Sequence, residues 1–387
     1  MNGKEFRRFT VTIVLVAMIL AFSVTQTTTG QTSYDEIAIQ GQLEAQLKEL
    51  IIENYSQYYR DVDVSLTARN TVIADSIASA VLDAKINLTL KAEKVEDLPF
   101  VKGMLERLDS KRSTATNAQI EESDRLINDW RLELGGYIGK PEPAAYAAYR
   151  IVANVRDGNT VERDSAKLYV SELSSENGGE EFCLIPSPML ETPEEMEKAG
   201  AALIDQTFQK AASSPTVAST KNLQYVYYDR LAARDYANQY VSVNAPYDDI
   251  GGCYRDASCW NTTAYPRYTN DACADCADYV SQAMYAGHIP IAAGQWDRLQ
   301  DSGGTYPWAW TSSSALKAYM TNTGHWYSSS FAQANAGNIL RMPDSEGHVV
   351  MIVLNDTITH QYSAHTNDRK QYIFYDNSSF EYYMVQN

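Results

Sequence analysis

The sequence predicts an α+β protein in two parts: a small mixed module, then a region where a cysteine-bearing helix precedes a β-rich run. Three observations carry this. Residues 34–210 pass from helical spacing to strand alternation. Residues 211–221, AASSPTVASTK, are small, polar and interrupted by Pro, which reads as a linker. Residues 222–387 hold all five His and four of the five Cys.

In the first part, Leu43, Leu47, Leu50 and Tyr58 lie near helical spacing. A second helix is predicted over 72–84, with Ile73, Ile77, Ala80 and Ala84 on one side, before Ile86, Leu88 and Leu90 alternate as a short strand. Helices follow near 99–108, where Pro99 suits a first turn, and near 117–134. Tyr149, Ile151, Ala153 and Val155 then alternate, Asp157-Gly158 turns, and Ala166, Leu168 and Val170 alternate again, a hairpin signal. The module shows no catalytic cluster, so its expected role is that of a spacer or stalk.

The 387 residues allow two ordinary domains, and 44% hydrophobic with 21% charged residues is a globular composition. A net charge of −17 without a basic face excludes a nucleic-acid-binding role. Lys4, Arg7 and Arg8 precede an apolar, uncharged run over 9–24 and a polar stretch over 25–33. Residues 1–33 therefore read as an export signal, cleaved or retained as an anchor, with the rest outside the cytoplasm. Membrane attachment is expected only through that segment.

Cys253, Cys259, Cys273 and Cys276 crowd together, and an odd total leaves one thiol over. A zinc site needs two knuckle pairs, and only Cys273 and Cys276 have that spacing. Redox CxxC pairs follow a buried strand, which NTTAYPRYTNDA before Cys273 is not. The third reading is a nucleophile at Cys276, with a disulfide among Cys253, Cys259 and Cys273.

ADYVSQAMYAG after Cys276 reads as a helix ending at Gly287, with Ala277, Val280 and Met284 on one face. Asp275 is the expected N-cap and Asp278 its capping-box partner, which sets Cys276 at the first helical position. Unpaired N–H groups and the helix dipole there favour thiolate and can hold an oxyanion. Both aspartates work against the thiolate, so a base is required. His348 opens HVVMIVL, a buried-type strand, and Gly347 before it leaves room for close approach. A third group should orient the imidazole, and His365 or Asn367 on the next strand is placed to do so.

At these residues the second part resembles the putative amidase domains of secreted proteins, related to the NlpC/P60 and CHAP cysteine hydrolases. The matching pieces run in family order: YDRLAARDYANQYV from Tyr228, DCADYVSQAMYAGHIPI from Asp275, WAWTSSSALKAYM from Trp308, GNILRM from Gly337, HVVMIV from His348 and SAHTNDR from Ser363. The resemblance implies a papain-like, NlpC/P60-type fold, a Cys-bearing helix on an antiparallel His-bearing sheet. The family's usual Gly-Asp before the His strand is Gly337-Asn338 here, and Cys273 is a further departure that could pair reversibly with Cys276.

Tyr306, Trp308 and Trp310 surround one Pro, before Ser312 caps a helix around 315–320. Trp308 and Trp310 are candidates for lining a substrate groove, Trp310 first. The resulting expectation is an exported cysteine hydrolase that cleaves amide bonds through a thioester. Family relatives often cut cell-wall peptides, so the expected substrate is a peptide or peptidoglycan-type polymer. No metal or organic cofactor is implied. The competing expectation is a non-catalytic surface module that kept the fold for binding.

Overall fold

The computed structural model describes residues 35–173, 180–213, 227–248, 253–265, 275–298, 307–342 and 347–386. The leader-like segment 1–33, Cys273 and Tyr306 lie outside these residues. Among the described residues, no helix is long and apolar enough to cross a membrane.

The first part opens with α1 (Glu36–Tyr55), which buries Ile39, Leu43, Leu47 and Ile51, a stripe at i, i+4 spacing. Then come β1 (Tyr59–Ala74) and β2 (Ile77–Leu90), which pair along their whole length. The helix expected over 72–84 is this hairpin. Ala78, Ala80, Leu82, Ala84, Ile86 and Leu88 are all buried, a period of two; of the residues at apparent helical spacing, Ala80 and Ala84 lie on this face, while Ile77 is exposed and Ile73 belongs to β1. Asp75 and Ser76 turn the chain with φ of 49° and 66°, the handedness that suits a tight hairpin between right-twisted strands. The helices α2 (Pro99–Lys111) and α3 (Asn117–Leu134) form where the sequence places them, with Pro99 in the first turn of α2. In α3, Thr116 and Gln119 form a reciprocal capping box.

Next are β3 (Ala145–Arg156), β4 (Thr160–Val161), β5 (Lys167–Leu173), β6 (Glu180–Leu184) and α4 (Pro193–Ser213). β5 pairs with β3 with Tyr149 opposite Val170, the expected hairpin, with β4 inserted between. The linker expected at 211–221 begins inside α4, and 214–226 lie outside the described residues.

The second part contains α5 (Arg230–Gln239), the pair β7 (Tyr247–Asp248) and β8 (Cys253–Tyr254), α6 (Cys276–Ala286), α7 (Trp308–Thr311) and α8 (Ser313–Asn322). Ser312 caps α8 by accepting the Ala315 N–H, as expected. The strands follow: β9 (Trp326–Ser328), β10 (Ile339–Met342), β11 (His348–Asn355), β12 (His360–Ala364), β13 (Arg369–Phe374) and β14 (Glu381–Val385). Every residue of β11 is buried. Val349, Met351 and Val353 join Ala277, Val280, Ala283 and Met284 of α6 in one core, while Val350 and Ile352 join Leu340, Tyr362 and Phe374 in another. The helix that begins at Cys276 is thereby seated on the strand that begins at His348.

The two parts share one sheet. Its order is β1-β2-β3-β13-β12-β11-β10-β14-β9, and β3 runs parallel to β13 with Tyr146 opposite Tyr372. The core of the first part also takes in Leu354, Ile358, Ile373 and Tyr375. A spacer would leave the second part's sheet with a solvated edge at β13; here β3 covers it, so the first part is structurally continuous with the second.

Polar groups bridge the same seam. Arg230 pairs with Glu133, whose side chain is wholly buried, and also donates to the carbonyls of Asp129 and Ala336. Tyr375 joins the hydroxyls of Tyr55 and Tyr149 at 3.3 and 3.1 Å. Tyr59 donates to Asp356, which also takes the N–H groups of Ile358 and Thr359 and is hydrogen-bonded to Glu142. Burial, and then the neighbouring Asp356 charge, hold the Glu142 carboxyl well above its ordinary range, so the pair retains a proton.

Gly337 sets the other contact. At φ +86°, a Cβ there would lie 2.1 Å from the Arg230 carbonyl oxygen. The following Asn338, where the resembled family has Asp, accepts the Val385 N–H at 2.9 Å and donates its own N–H₂ to Asn335. A carboxylate could not make that donation, which accounts for the departure.

Two outcomes are expected. Gly337→Ala should cost about 2–5 kcal/mol in denaturant unfolding, from strain plus overlap. Glu142 has a raised folded pKa, so its contribution is complete below the unfolded carboxylate range and is lost as pH rises. Glu142→Gln should therefore raise the melting temperature at pH 8, and the gain should vanish toward about pH 4.

Candidate active site

Cys276 is the first residue of α6 and is half-buried. Its thiol is a free one, as are those of Cys183 and Cys259. The disulfide expected among Cys253, Cys259 and Cys273 therefore does not include Cys259, whose Sγ lies 3.6 Å from Asp256. No metal-holding group of His, Cys, Asp or Glu occurs among the described residues.

Three donors favour the charged form of the Cys276 thiol: the N–H groups of Val349 and Ala277 and the hydroxyl of Thr366. Ala277 belongs to the first turn of α6, where N–H groups have no intrahelical partner. Val349 directly follows His348, so the sulfur sits against the start of β11. Burial nevertheless pushes the thiol up to about 11, Asp275 adds to this, and the three donors work against it. The resting group is a thiol, and it becomes a nucleophile only when a base removes its proton.

His348 opens β11, is buried, and pairs across to Met342. Gly347 before it has φ +76°, and a Cβ there would lie 2.0 Å from Nη2 of Arg341. The room that Gly347 makes is thus filled by a guanidinium. Arg341 is paired with Glu381 at 2.9 Å, and Glu381 also takes Lys317 at 2.7 Å. The three side chains put one net positive charge beside the residue that precedes His348.

His365 and Asn367, the two candidates for orienting His348, bond elsewhere. Both lie in the turn between β12 and β13. His365 bonds Asp275 Oδ2 through Nδ1 and the Tyr240 carbonyl through Nε2, both at 2.6 Å. Its ring lies between Tyr279 and Trp260, with centroids 4.0 and 4.6 Å away. Both polar partners are acceptors, so both ring nitrogens donate and the ring is an imidazolium. Burial opposes that charge, but the Asp275 hydrogen bond and the Asp368 charge overcome it, and the ring titrates above its ordinary value. Asn367 turns its oxygen to the Tyr254 N–H at 2.9 Å and so fixes β8 against this turn. His365 is thereby tied to the start of α6.

The aspartates flanking Cys276 also differ from expectation. Asp275 stands at the N-cap position but makes no cap bond, because its carboxylate is engaged by His365. Asp278 is buried, accepts from Trp310 Nε1 at 2.5 Å and Gln282 Nε2 at 2.8 Å, and is hydrogen-bonded to Asp275. Burial and the Asp275 charge hold its carboxyl far above the usual range. A capping box needs Asp278 to reach back to the cap residue's N–H, and that N–H goes to Thr366 instead, at 3.2 Å.

Trp310, the first choice for a groove residue, is wholly buried against Trp296 and locked to Asp278. It supports α6 from beneath. Trp308 is 79% exposed and is the one of the pair available to a substrate. Tyr247 and Tyr254, on the hairpin held by Asn367, are also exposed. Sequence reasoning misses Thr366, Tyr240, Trp260 and Arg341. Thr366 lies inside the SAHTNDR piece, but no periodicity or spacing marks it.

The arrangement is a helix-start thiol on an antiparallel sheet, beside a strand-start histidine. Residues 227–385 match the family model described as a putative amidase domain. The description points to an enzyme that hydrolyses amides. No curated protein and no solved structure matches the chain.

Removing His365 leaves Asp275 buried without its counter-charge. His365→Ala should cost about 3–5 kcal/mol in urea unfolding near pH 6. Because the folded pKa is raised, the native pair's contribution is complete below the unfolded value and is lost as pH rises through the folded one. The difference between the two proteins should therefore shrink at alkaline pH.

Proposed function

We propose that the chain is an exported cysteine amidase, with Cys276 as nucleophile and His348 as its base. The observation that carries this is the packing of α6, which begins at Cys276, on β11, which begins at His348, with Ala277 and Val280 in one core with Val349 and Met351. In this reading His348 removes the thiol proton and the sulfur attacks the carbonyl carbon of an amide. First-turn N–H groups of α6 hold the oxyanion. The C–N bond breaks as His348 returns the proton to the leaving amine, giving a thioester. Water, deprotonated by His348, then releases the acid and regenerates the thiol. The papain-like relation to the NlpC/P60 and CHAP hydrolases belongs to this same reading.

Cell-wall peptides of the peptidoglycan type are the proposed substrate class. Exposed Trp308 supports a surface that takes up a ring or an apolar side chain. Export rests on the leader-like residues 1–33, and any membrane attachment would be through them.

Iodoacetamide labelling followed by peptide mapping tests the reading, with Cys183 and Cys259 as internal references. Burial pushes both reference thiols up, Cys183 to about 12. Cys276 should label faster than either, and His348→Ala should slow it by about a hundredfold or more. Slow labelling of Cys276 that is indifferent to His348→Ala would sink the enzyme reading in favour of a binding module. Release of peptide fragments from purified wall polymer, lost in Cys276→Ala, identifies the bond cut.

A further inference from the structure

Thr366 has φ +87°, a conformation that crowds a β-branched side chain and that Gly adopts freely. It is held there from both sides. His365 before it is bonded to Asp275 and Tyr240, and Asn367 after it to Tyr254. Asp368 donates its N–H to the Tyr254 carbonyl at 2.8 Å and accepts the Asp256 N–H at 2.9 Å. Nothing in this anchoring requires a side chain at 366, and Gly would relieve the strain. The threonine hydroxyl is engaged at one place. Its oxygen accepts the Asp275 N–H at 3.2 Å, which sets the hydroxyl beside the start of α6, where it favours the charged form of the Cys276 thiol. An oxygen already accepting from an amide directs its own proton toward the sulfur.

We propose that Thr366 is a positioning residue whose hydroxyl donates to the Cys276 sulfur, fixing it at the start of α6 and stabilising the thiolate as His348 takes its proton. The proposal rests on the reading of Cys276 as nucleophile. It assigns the strain a purpose: only in this conformation does the turn present a hydroxyl to the Asp275 amide and the sulfur together. The hydroxyl acts in the same direction as the N–H groups of Val349 and Ala277, each of which favours the charged sulfur. His365 contributes indirectly, because its bonds to Asp275 and Tyr240 hold the turn that carries Thr366.

The test is the pH–rate profile of Cys276 alkylation by iodoacetamide in the full chain, read by peptide mass, with melting temperatures measured alongside. Thr366→Gly should shift the profile to higher pH and slow alkylation about tenfold at pH 7, as expected for losing a hydrogen bond to a charged group. Its melting temperature should not fall, since the strain is relieved. Thr366→Ser should restore the wild-type profile. Thr366→Ala, which keeps a Cβ in the strained conformation, should shift the profile like Gly and melt lower than it. A Gly or Ala variant whose profile superimposes on that of the wild type, with the fold intact, overturns the proposal. His348→Ala separates the two claims: if it leaves the profile unchanged while Thr366→Gly shifts it, the base assignment fails and the role of Thr366 stands.

Discussion

The buried pair of Asp275 and His365 ties the start of α6 to the sheet. Asp275 immediately precedes Cys276, and His365 begins the turn between β12 and β13. The ring is enclosed by Trp260 and Tyr279, so the bond is made where water competes little. An ion pair in such a place is costly to bury, and its geometry must be closely kept for the attraction to offset desolvation. Here each ring nitrogen has an acceptor at 2.6 Å. Those two bonds fix Tyr240 after α5, the start of α6 and the turn that holds Thr366, and the sulfur's surroundings follow from them.

Around that pair the site is layered. Beneath the helix start, Asp278 is held by Trp310 and Gln282, so the tryptophan that a surface reading favours for substrate is a structural support. On the sheet side, Arg341 fills the space left by Gly347 and is neutralised by Glu381, which it shares with Lys317 of α8. Charges beside His348 are thereby fixed by the fold. Farther out, β3 lies along β13, and the Glu142–Asp356–Tyr59 cluster and the Arg230–Glu133 pair join the two parts of the chain. The sheet that carries His348 is completed by the first part, so that part has a mechanical bearing on the site although it holds none of the sulfur's neighbours.

Elements with a long local period are legible in the amino-acid sequence alone. α2 and α3 fall where apolar spacing and Pro99 put them, and α6 runs from Cys276 to the residue before Gly287. The β1–β2 hairpin reads in part as a helix because Ile73, Ile77, Ala80 and Ala84 fall at helical spacing across the turn, Ile73 on β1 and the others on β2. Only the long pairing of the two strands distinguishes them. The continuous sheet is not legible, since a parallel β3–β13 contact joins residues more than two hundred positions apart and leaves no local pattern.

By itself the sequence determined that Cys276 starts a helix, that His348 starts a buried strand, and that a second polar group lies one strand further on. These are consequences of capping, dipole and alternation, all set by near neighbours. Tertiary structure decided which partner each polar side chain takes. His365 bonds Asp275, Asn367 bonds the Tyr254 amide, Trp310 turns inward, and Thr366 accepts the Asp275 amide. Such choices depend on distances between segments far apart in the chain and on which buried groups must be satisfied, quantities that no local window of sequence contains.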